Sequence, residues 1–428
     1  MLVRTIAALL ALGIALPAVA QGIPKAQSPE EVGFVATRLK RLSDRIEEGV
    51  KNNELPGAVV LIARNGKIAM FDAFGYRDKE TKAPMKTDTI FRIASMTKPF
   101  TSVAAMILME EGKLSLADPV SKYIPAFADT KVSTQKKNPD GTVELGLEPQ
   151  FRPMTIQDLM RHTSGLTYGL AGSNPVKQSY IDMKMMDANQ TNAQMVEKLS
   201  KLALLYQPGT HWEYSMSTDV LGRVIEVASG MPLDKFIEER ITKPLRLGDT
   251  GFEVSPDKKD RGARPQKEGP NNAMPNVPDV TLKTTWKSGG GGMVSTAADY
   301  ARFLQMFANG GQLDGARIIS RKTIDLMTAD HLPPDIKMGD DMYRFEALEP
   351  SARMGQGFGL GFAVRNEQGR NPLPGSPNDY YWGGAWGTYF WHDPREHMYV
   401  VFMMQSQTAR LPYRYLMRDL VYQALIGN

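Results

Sequence analysis

Residues 92–100 read RIASMTKPF and place Ser95 and Lys98 three positions apart at the predicted start of a helix. The apolar segment TIFRIA (89–94) precedes this stretch, and a helix with an apolar face follows it to about Gly112. Proline is tolerated only in the first turn of a helix, so Pro99 sets the helix start close to Ser95. Two interpretations remain open on these residues alone: a nucleophilic serine with a lysine base, or a serine that caps the helix beside an unrelated lysine.

The same Ser-x-x-Lys spacing occurs at two other places in the chain. Ser133 and Lys136 lie in the polar stretch KVSTQKKNPDG, and Ser255 and Lys258 lie in a charged segment that contains Pro256. Both surroundings are typical of solvated loops. Only the Ser95 copy lies between a predicted strand and a predicted helix, where a helix N-terminus would favour negative charge near the serine.

Composition excludes several classes of site. The chain has no cysteine, so a thiol nucleophile, thiolate metal ligands and disulfides are excluded. With 51 basic and 47 acidic residues, the formal charge of +4 gives no reason to expect nucleic acid or anionic membranes as partners. The five histidines include no pair at i,i+4 that would favour a metallohydrolase, and we expect neither a metal nor a cofactor. The oligomeric state stays open.

The first twenty residues have the pattern of a secretory signal peptide. MLVR carries a positive charge, IAALLALGIAL is apolar, and Ala18-Val19-Ala20 is a small-x-small cleavage pattern. A buried N-terminal helix is the alternative. We therefore expect residues 1–20 to be a cleaved signal peptide and the mature chain to be secreted or periplasmic, with no membrane anchor.

Predicted strands lie towards both ends of the remaining chain, residues 21–428. Ala58–Arg64 and Ile68–Phe74 flank Asn65-Gly66, a strong hairpin signal, and a closing helix is predicted over Tyr413–Ile426. Further predicted strands are Leu360–Val364, Tyr380–His392 and Met398–Met404; predicted long loops are Lys131–Pro149, Ser255–Lys283 and Pro333–Gln356. This order indicates an α+β fold in which both chain ends build one antiparallel sheet flanked by helices. The α/β part would span about 27–95 and 286–428, and an inserted, mainly helical lobe about 96–285.

Several blocks in a fixed order resemble the serine hydrolases of the beta-lactamase and penicillin-recognising type. They are the Ser95 block, MTIQDLMRHTSGL (154–166), the block YQPGTHWEYSM (206–216) with its continuation to Phe252, GGGGMVSTAADYARFLQMF (289–307) and YYWGGAWGTYFWHDP (380–394). The resemblance implies a beta-lactamase/transpeptidase-like fold. It also implies that Ser95 is the nucleophile and that Lys98 and Tyr214 act as general base and acid. His162 in the second block is expected to orient a turn.

Two positions depart from the antibiotic-hydrolysing members of that family. Met216 stands where an asparagine amide is usual, and Trp382-Gly383-Gly384 stands where Lys or His, a small residue and Gly are usual. Lys287-Ser288-Gly289 fits the latter pattern but precedes a glycine run, so we interpret Lys287 as a loop residue. With these departures the sequence resembles the family VIII carboxylesterases, which favours an uncharged ester as substrate. The residues expected to contact it are Met216, Trp382, Gly383, Gly384 and Trp386, with Tyr389 in the same wall.

By this resemblance, the backbone amides of Ser95 and Ala385 would form the oxyanion hole. The expected substrate is a small-molecule ester, or a compound similar to a beta-lactam. Two alternatives remain: a beta-lactamase or D-alanyl-D-alanine carboxypeptidase, and a non-catalytic member that binds a ligand. An alpha/beta-hydrolase is excluded because no serine lies in a Gly-x-Ser-x-Gly elbow.

Overall fold

The computed structural model describes residues 22–427 except 138, 140–142, 170–173, 270 and 272. The predicted signal peptide, residues 1–20, lies outside the described residues. The helices of the described part are α1 (Ala36–Lys51), α2 (Lys98–Glu110), α3 (Ile156–Met160), α4 (Pro175–Asp182), α5 (Asn192–Leu199), α6 (Ser217–Ser229), α7 (Leu233–Ile237), α8 (Ala297–Ala308), α9 (Arg321–Met327) and α10 (Arg410–Tyr422).

The strands fall into one large sheet and four small pairs. The pairs are β4 (Phe91–Arg92) with β8 (Val294–Ser295), β5 (Val132–Lys137) with β6 (Val143–Glu148), β7 (His211–Trp212) with β11 (Lys337–Met338), and β9 (Gln312–Leu313) with β10 (Ala316–Arg317). The large sheet contains β1 (Gly57–Arg64), β2 (Lys67–Asp78), β3 (Ala83–Pro84), β12 (Gln356–Phe358), β13 (Ala363–Arg365), β14 (Tyr380–Gly383), β15 (Tyr389–Asp393) and β16 (Met398–Met404).

Both chain ends build the large sheet, as the sequence predicted. Its strand order is β12-β13-β14-β15-β16-β1-β2-β3, and β1 pairs antiparallel with β16 from Ala58 opposite Met404 to Arg64 opposite Met398. The hairpin of β1 and β2 turns at Asn65 and Gly66, which both have positive φ, 52° and 73°. Positive φ at both central residues is the geometry of a type I′ turn, which matches the twist of the flanking strands. The α+β prediction is therefore confirmed.

Helices cover both faces of this sheet. The Phe402 ring stacks on Tyr413 of α10, whereas the Tyr399 hydroxyl donates to Gln305 of α8 at 2.9 Å. Residues 399 and 402 are an odd number of positions apart on one strand, so they project to opposite faces. The strand β1 is buried along its whole length because both faces are covered.

Helix α2 runs through the core. Every residue from Lys98 to Leu108 is buried, and Pro99 lies in its first turn, as predicted. A short 3-10 turn, Ala94–Thr97, precedes the helix, which therefore begins three residues later than the serine. Residues 98–285 contribute α2 to α7, and Tyr214 of this segment contacts Trp382 of β14 in the large sheet.

One predicted loop is wrong. Within Lys131–Pro149 the chain forms the antiparallel pair β5 and β6, with Val132 opposite Glu148 and Ser133 opposite Leu147. The alternation of VELGLE with period two was the signal for a strand, but the polar and Pro-Gly composition of the whole segment concealed it. Ser133 accordingly lies in a strand and not in a solvated loop.

Candidate active site

Ser95 lies on the 3-10 turn between β4 and α2. Ala94, immediately before it, has φ 44°, a left-handed conformation that a residue with a Cβ rarely adopts. Such a backbone costs about 1–3 kcal/mol and persists only where surrounding structure enforces it. Here the Tyr300 hydroxyl donates to the Met96 carbonyl at 3.1 Å, and the Met293 amide donates to Thr97 Oγ1 at 3.1 Å. These contacts fix the position of the serine side chain, which remains half-exposed.

Lys98 contacts Ser95 directly, as the spacing predicted. Its Nζ lies 3.3 Å from Ser95 Oγ, 2.8 Å from the Gly290 carbonyl and 3.4 Å from the Tyr168 hydroxyl. The side chain is fully buried, and the Tyr214 ring lies 4.6 Å from Nζ. A lysine without access to solvent that touches a serine hydroxyl is suited to proton transfer with that hydroxyl.

Tyr214 lies between β7 and α6 with its ring towards Lys98. Its hydroxyl accepts a hydrogen bond from Trp382 Nε1 at 3.2 Å, and its backbone amide donates to Met342 Sδ at 3.3 Å. The His162 ring lies 4.8 Å from the Tyr214 ring on the other side. The structure thus brings Tyr214, Lys98 and Trp382 together, although they come from distant segments of the chain.

His162 supports Tyr214 from the core. It is buried, has φ 59°, and its Nδ1 lies 3.2 Å from Ser215 Oγ and accepts from the Ser215 amide at 3.3 Å. Burial, with the nearby charge of Lys98, lowers the pKa of His162 well below its usual value. A neutral imidazole that accepts from the residue after Tyr214 acts on the geometry of the site, in line with the expected role in a turn.

Two residues of this site, Tyr168 and Asp219, were missed from the sequence. Asp219 is buried and accepts hydrogen bonds from Ser288 Oγ at 2.5 Å, from the Gly290 amide at 3.1 Å and from the Tyr168 hydroxyl. Burial raises the pKa of Asp219, and burial together with Asp219 raises that of Tyr168. The phenol can therefore donate to the Asp219 carboxylate while it accepts from Lys98 Nζ, which connects these two buried side chains.

Tyr168 and Asp219 could have been noticed from their positions close to or within the sequence blocks. Tyr168 follows RHTSGL closely, and Asp219 is an ionisable residue in the first turn of a helix with a buried face. Nothing in their spacing indicated a contact, because Tyr168 and Lys98 are 70 residues apart and Ser288 and Asp219 are 69 apart.

The glycine run after Lys287 packs against Lys98, whose Nζ donates to the Gly290 carbonyl. A Cβ on Gly290 would lie 2.5 Å from the Asp219 carboxylate, and one on Gly289 would lie 2.7 Å from the Thr218 carbonyl. Only glycine allows this loop to approach α2 and α6 so closely. Lys287 itself pairs with Glu253 at 2.8 Å, as befits the loop residue that the sequence indicated.

The strand β14 and the turn after it form the opposite wall. Trp382 is buried, Gly384 is buried, and Ala385 is exposed on the turn. Among the described groups, no acceptor is hydrogen-bonded to the backbone amide of Ser95 or Ala385. Both amides therefore remain able to donate to a substrate oxygen. Ser95, Trp382, Gly383, Gly384 and Ala385 all line the same cavity.

That cavity has a volume of about 200 Å³. Much of its lining is apolar or aromatic: Tyr214, Met342, Phe345, Leu348, Trp382, Tyr389 and Leu411. Charged groups at its edge include Lys177, Glu213 and Asp341, with Lys177 Nζ 2.6 Å from Asp341 and 3.2 Å from Glu213. Burial raises the pKa of Glu213.

Met216 and Trp386 occupy positions that differ from the expectation. Met216 is fully buried at the start of α6, and neither residue is among the described residues that line the cavity. Met216 is the N-cap residue of α6 and packs in the core, and Trp386 is partly buried on the turn after Gly384. Met342 and Phe345, from a segment predicted to be a loop, form the wall instead. The Phe345 ring lies 5.6 Å from the Trp382 ring.

Across the described ranges, no group of three or more His, Cys, Asp or Glu side chains is arranged to hold a metal ion. In the same part of the chain, no helix has the length and apolar character needed to cross a membrane.

Comparison with known proteins gives a consistent result over nearly the whole chain. The profile of the family described as Beta-lactamase matches residues 42–422. Esterase EstB of Burkholderia gladioli is 28% identical over 415 residues, which are 90% of this chain and 96% of the relative. A protein named putative D-alanyl-D-alanine carboxypeptidase of Escherichia coli (strain K12) is 28% identical over 431 residues, 92% of this chain and 88% of the relative. The solved structure titled EstCE1, a hydrolase with promiscuous acyltransferase activity, has a TM-score of 0.72 and 27% identity, covering 90% of this chain and 99% of that one.

Proposed function

Because the chain belongs to the beta-lactamase family of serine hydrolases, we propose that it cleaves carboxylic esters with small or medium acyl chains through an acyl-enzyme on Ser95. The observation that carries this proposal is the hydrogen bond from Trp382 Nε1 to the Tyr214 hydroxyl at 3.2 Å. In antibiotic-hydrolysing relatives a cationic side chain is usual at that strand position. An uncharged indole in an aromatic wall suits an uncharged acyl group.

The absence of an asparagine at position 216 supports the same substrate class. An amide side chain there would bind the amide of a peptide or beta-lactam, whereas the Met216 thioether is a weak acceptor and no donor. Met216 is also buried in the core and is not among the described residues that line the cavity, so residue 216 offers a substrate amide no hydrogen bond. An ester has no amide N–H to be recognised and does not need that group.

The proposed chemistry has two steps. Ser95 Oγ attacks the ester carbonyl while its proton passes to Lys98 Nζ, 3.3 Å away, with Tyr214 assisting. The carbonyl oxygen becomes an oxyanion held by the amides of Ser95 and Ala385. Lys98 or Tyr214 then protonates the leaving alcohol, and the C–O bond to that alcohol breaks. Water repeats the attack on the acyl-enzyme, and Ser95 regains its proton as the carboxylic acid leaves.

The proposed location of this activity is outside the cytoplasm. It rests on the signal-peptide pattern of residues 1–20. N-terminal sequencing of the protein recovered from a periplasmic extract should begin at about residue 21. A start at Met1 would contradict the proposal.

The test of function is a paired initial-rate assay on p-nitrophenyl butyrate and a chromogenic cephalosporin. We expect ester turnover that disappears in Ser95→Ala and persists in Ser255→Ala, a serine with the same Ser-x-x-Lys spacing elsewhere in the chain. Little cephalosporin cleavage is expected. Efficient cephalosporin cleavage would instead indicate a beta-lactamase. Inactivity on both compounds would favour a carboxypeptidase, tested with a D-alanyl-D-alanine peptide, or a binding protein if a serine-directed phosphonate leaves Ser95 unlabelled.

A further inference from the structure

Helix α10 buries two arginines one turn apart, and their surroundings differ. Arg418 is fully buried and pairs with Asp379, its Nη1 lying 2.6 Å from Oδ2. Arg414 is 8% exposed, and no carboxylate of the described residues forms an ion pair with it. Arg410, one turn earlier on the helix, has the same sign, and burial followed by Arg410 lowers the pKa of Arg414 to about 10. A buried cation without a counter-charge is costly, so it calls for a reason.

The position of Arg414 supplies that reason. Its Nη2 donates to the carbonyl of Gly384 at 2.5 Å and to that of Thr388 at 3.2 Å, and the guanidinium lies 5.5 Å from the Tyr389 ring centre. These two carbonyls bound the turn that carries Ala385. The guanidinium also lies flat against Gly383, where an added Cβ would come within 2.4 Å of Cζ.

The turn that Arg414 holds is joined directly to the Ser95 segment. The Gly384 amide donates to the Thr388 carbonyl at 2.8 Å, and Thr388 Oγ1 donates to the Ile93 carbonyl at 3.2 Å. Ile93 is two residues before Ser95. The two expected oxyanion donors, the amides of Ser95 and Ala385, therefore belong to one hydrogen-bonded unit with Arg414 behind it.

Arg414 has one hydrogen-bond donor that the described residues leave without an acceptor. Its Nε has no hydrogen-bond partner among the described groups, and the residue is one of those that line the cavity. Glu346 lies in the neighbourhood of Arg410, but its carboxylate accepts from the Tyr415 hydroxyl at 2.9 Å. The positive charge behind the turn therefore has carbonyl acceptors but no carboxylate partner among the described residues.

We propose that Arg414 is a positioning residue of the oxyanion site. It fixes the Gly384–Thr388 turn so that the Ala385 amide faces Ser95, and its uncompensated charge favours the oxyanion of the tetrahedral intermediate. This inference rests on the proposed ester hydrolysis at Ser95, and it adds a residue outside the motifs that define the family. Arg418, neutralised by Asp379, has a structural role on the same helix.

The test uses Arg414→Gln and Arg414→Lys, with Arg321→Gln, at an exposed arginine of α9 outside the cavity, as the matched control. On p-nitrophenyl butyrate we expect Arg414→Gln to lower kcat about 10–100-fold, less than or equal to the loss of one oxyanion donor, with KM within about twofold. Arg414→Lys should recover part of kcat, because it keeps the charge but not the two hydrogen bonds. Arg321→Gln should stay within about threefold of the wild type.

A second readout does not depend on turnover. Phenylboronic acid forms a tetrahedral anionic adduct with an active-site serine, so its affinity for Arg414→Gln should fall by the same factor as kcat/KM. An unchanged boronate affinity would overturn the proposal even if ester hydrolysis were absent. Wild-type protein that binds the boronate but does not cleave the ester would count against the proposed function and leave the role of Arg414 to be decided by this titration.

Two further results would overturn the proposal. One is a loss confined to KM and to an anionic ester, mono-p-nitrophenyl glutarate, since Arg414 would then bind a substrate carboxylate. The other comes from Gly383→Ala, which serves if Arg414→Gln fails to fold. Its methyl group displaces the guanidinium without removing the charge, so kcat should again fall; an unchanged kcat would show that the position of Arg414 is immaterial.

Discussion

Ser95–Lys98 and Ser255–Lys258 have the same spacing, yet their surroundings differ. Ser95 lies within a 3-10 turn that precedes Pro99, and Ser255 lies immediately before a 3-10 turn that begins at Pro256. Lys98 is fully buried and donates to Ser95 Oγ and the Gly290 carbonyl. Lys258 is partly exposed and pairs with Asp249 at 2.9 Å, while Ser255 bonds to Asp257. The difference teaches that a three-residue spacing at a turn does not by itself bring a buried lysine into contact with the serine. Ser95 and Lys98 differ from Ser255 and Lys258 because β14, α6 and a glycine loop converge on them.

The largest expected difference between the two turns is the loss of kcat/KM when each lysine is replaced by methionine. Lys98→Met should lower kcat/KM on p-nitrophenyl butyrate by about 10²–10⁴, the usual contribution of a positioned general base. Lys258→Met should leave kcat/KM within about twofold, because its partner Asp249 also binds Arg261, at 2.7 Å. Circular dichroism would establish that both variants fold. Equal losses in the two would remove the distinction drawn between the two turns.

The second prediction concerns stability near the Ser255 turn. Asp299 accepts from the Asp249 amide at 2.8 Å and from Thr250 Oγ1 at 2.9 Å, and burial raises its pKa to about 6. The folded state therefore binds a proton that the unfolded state releases between about pH 4 and pH 6. This group's contribution to stability is present below about pH 4 and is lost as pH rises through about 6, by about 1–3 kcal/mol.

Urea unfolding at pH 4.5 and pH 7 measures that contribution. Asp299→Asn should remove this part of the pH dependence, whereas Asp325→Asn, at an exposed carboxylate, should keep the wild-type profile. Ester turnover should be retained in both, since neither residue is among the described residues that line the Ser95 cavity. A wild-type slope in Asp299→Asn would show that another group titrates there.

The smallest expected effect tests what β14 adds to the Ser95 site. Trp382→Phe keeps the aromatic wall but removes the donor to Tyr214, a hydrogen bond worth about 1 kcal/mol. We expect kcat to fall about 3–10-fold. Trp286→Phe is the control, because its buried Nε1 has no partner among the described groups. A kcat unchanged in Trp382→Phe would mean that the indole only fills space.

The elements that could be predicted from the sequence are those with local signals. Asn65-Gly66 between apolar runs predicts the first hairpin, and Pro99 predicts where α2 begins. The segment Lys131–Pro149 was misinterpreted because its polar composition outweighed a short alternation that forms β6. Phe345 was missed as a wall of the cavity because it lies in a segment without periodicity, and its aromatic neighbours Trp212, Tyr214 and Trp382 are distant in the sequence.

The sequence by itself determined the α+β class, the family, and the adjacency of Ser95 and Lys98, because periodicity, turn chemistry and one helical turn act over a few residues. Only the tertiary structure decided which residues surround that pair. Gly290 and Lys98 are 192 residues apart, and Trp382 and Tyr214 are 168 apart. Met216 lies in the core and Arg414 lies behind the Ala385 turn for the same reason. A side chain's direction and its counter-charge depend on elements brought together by folding, which leave no trace in local spacing.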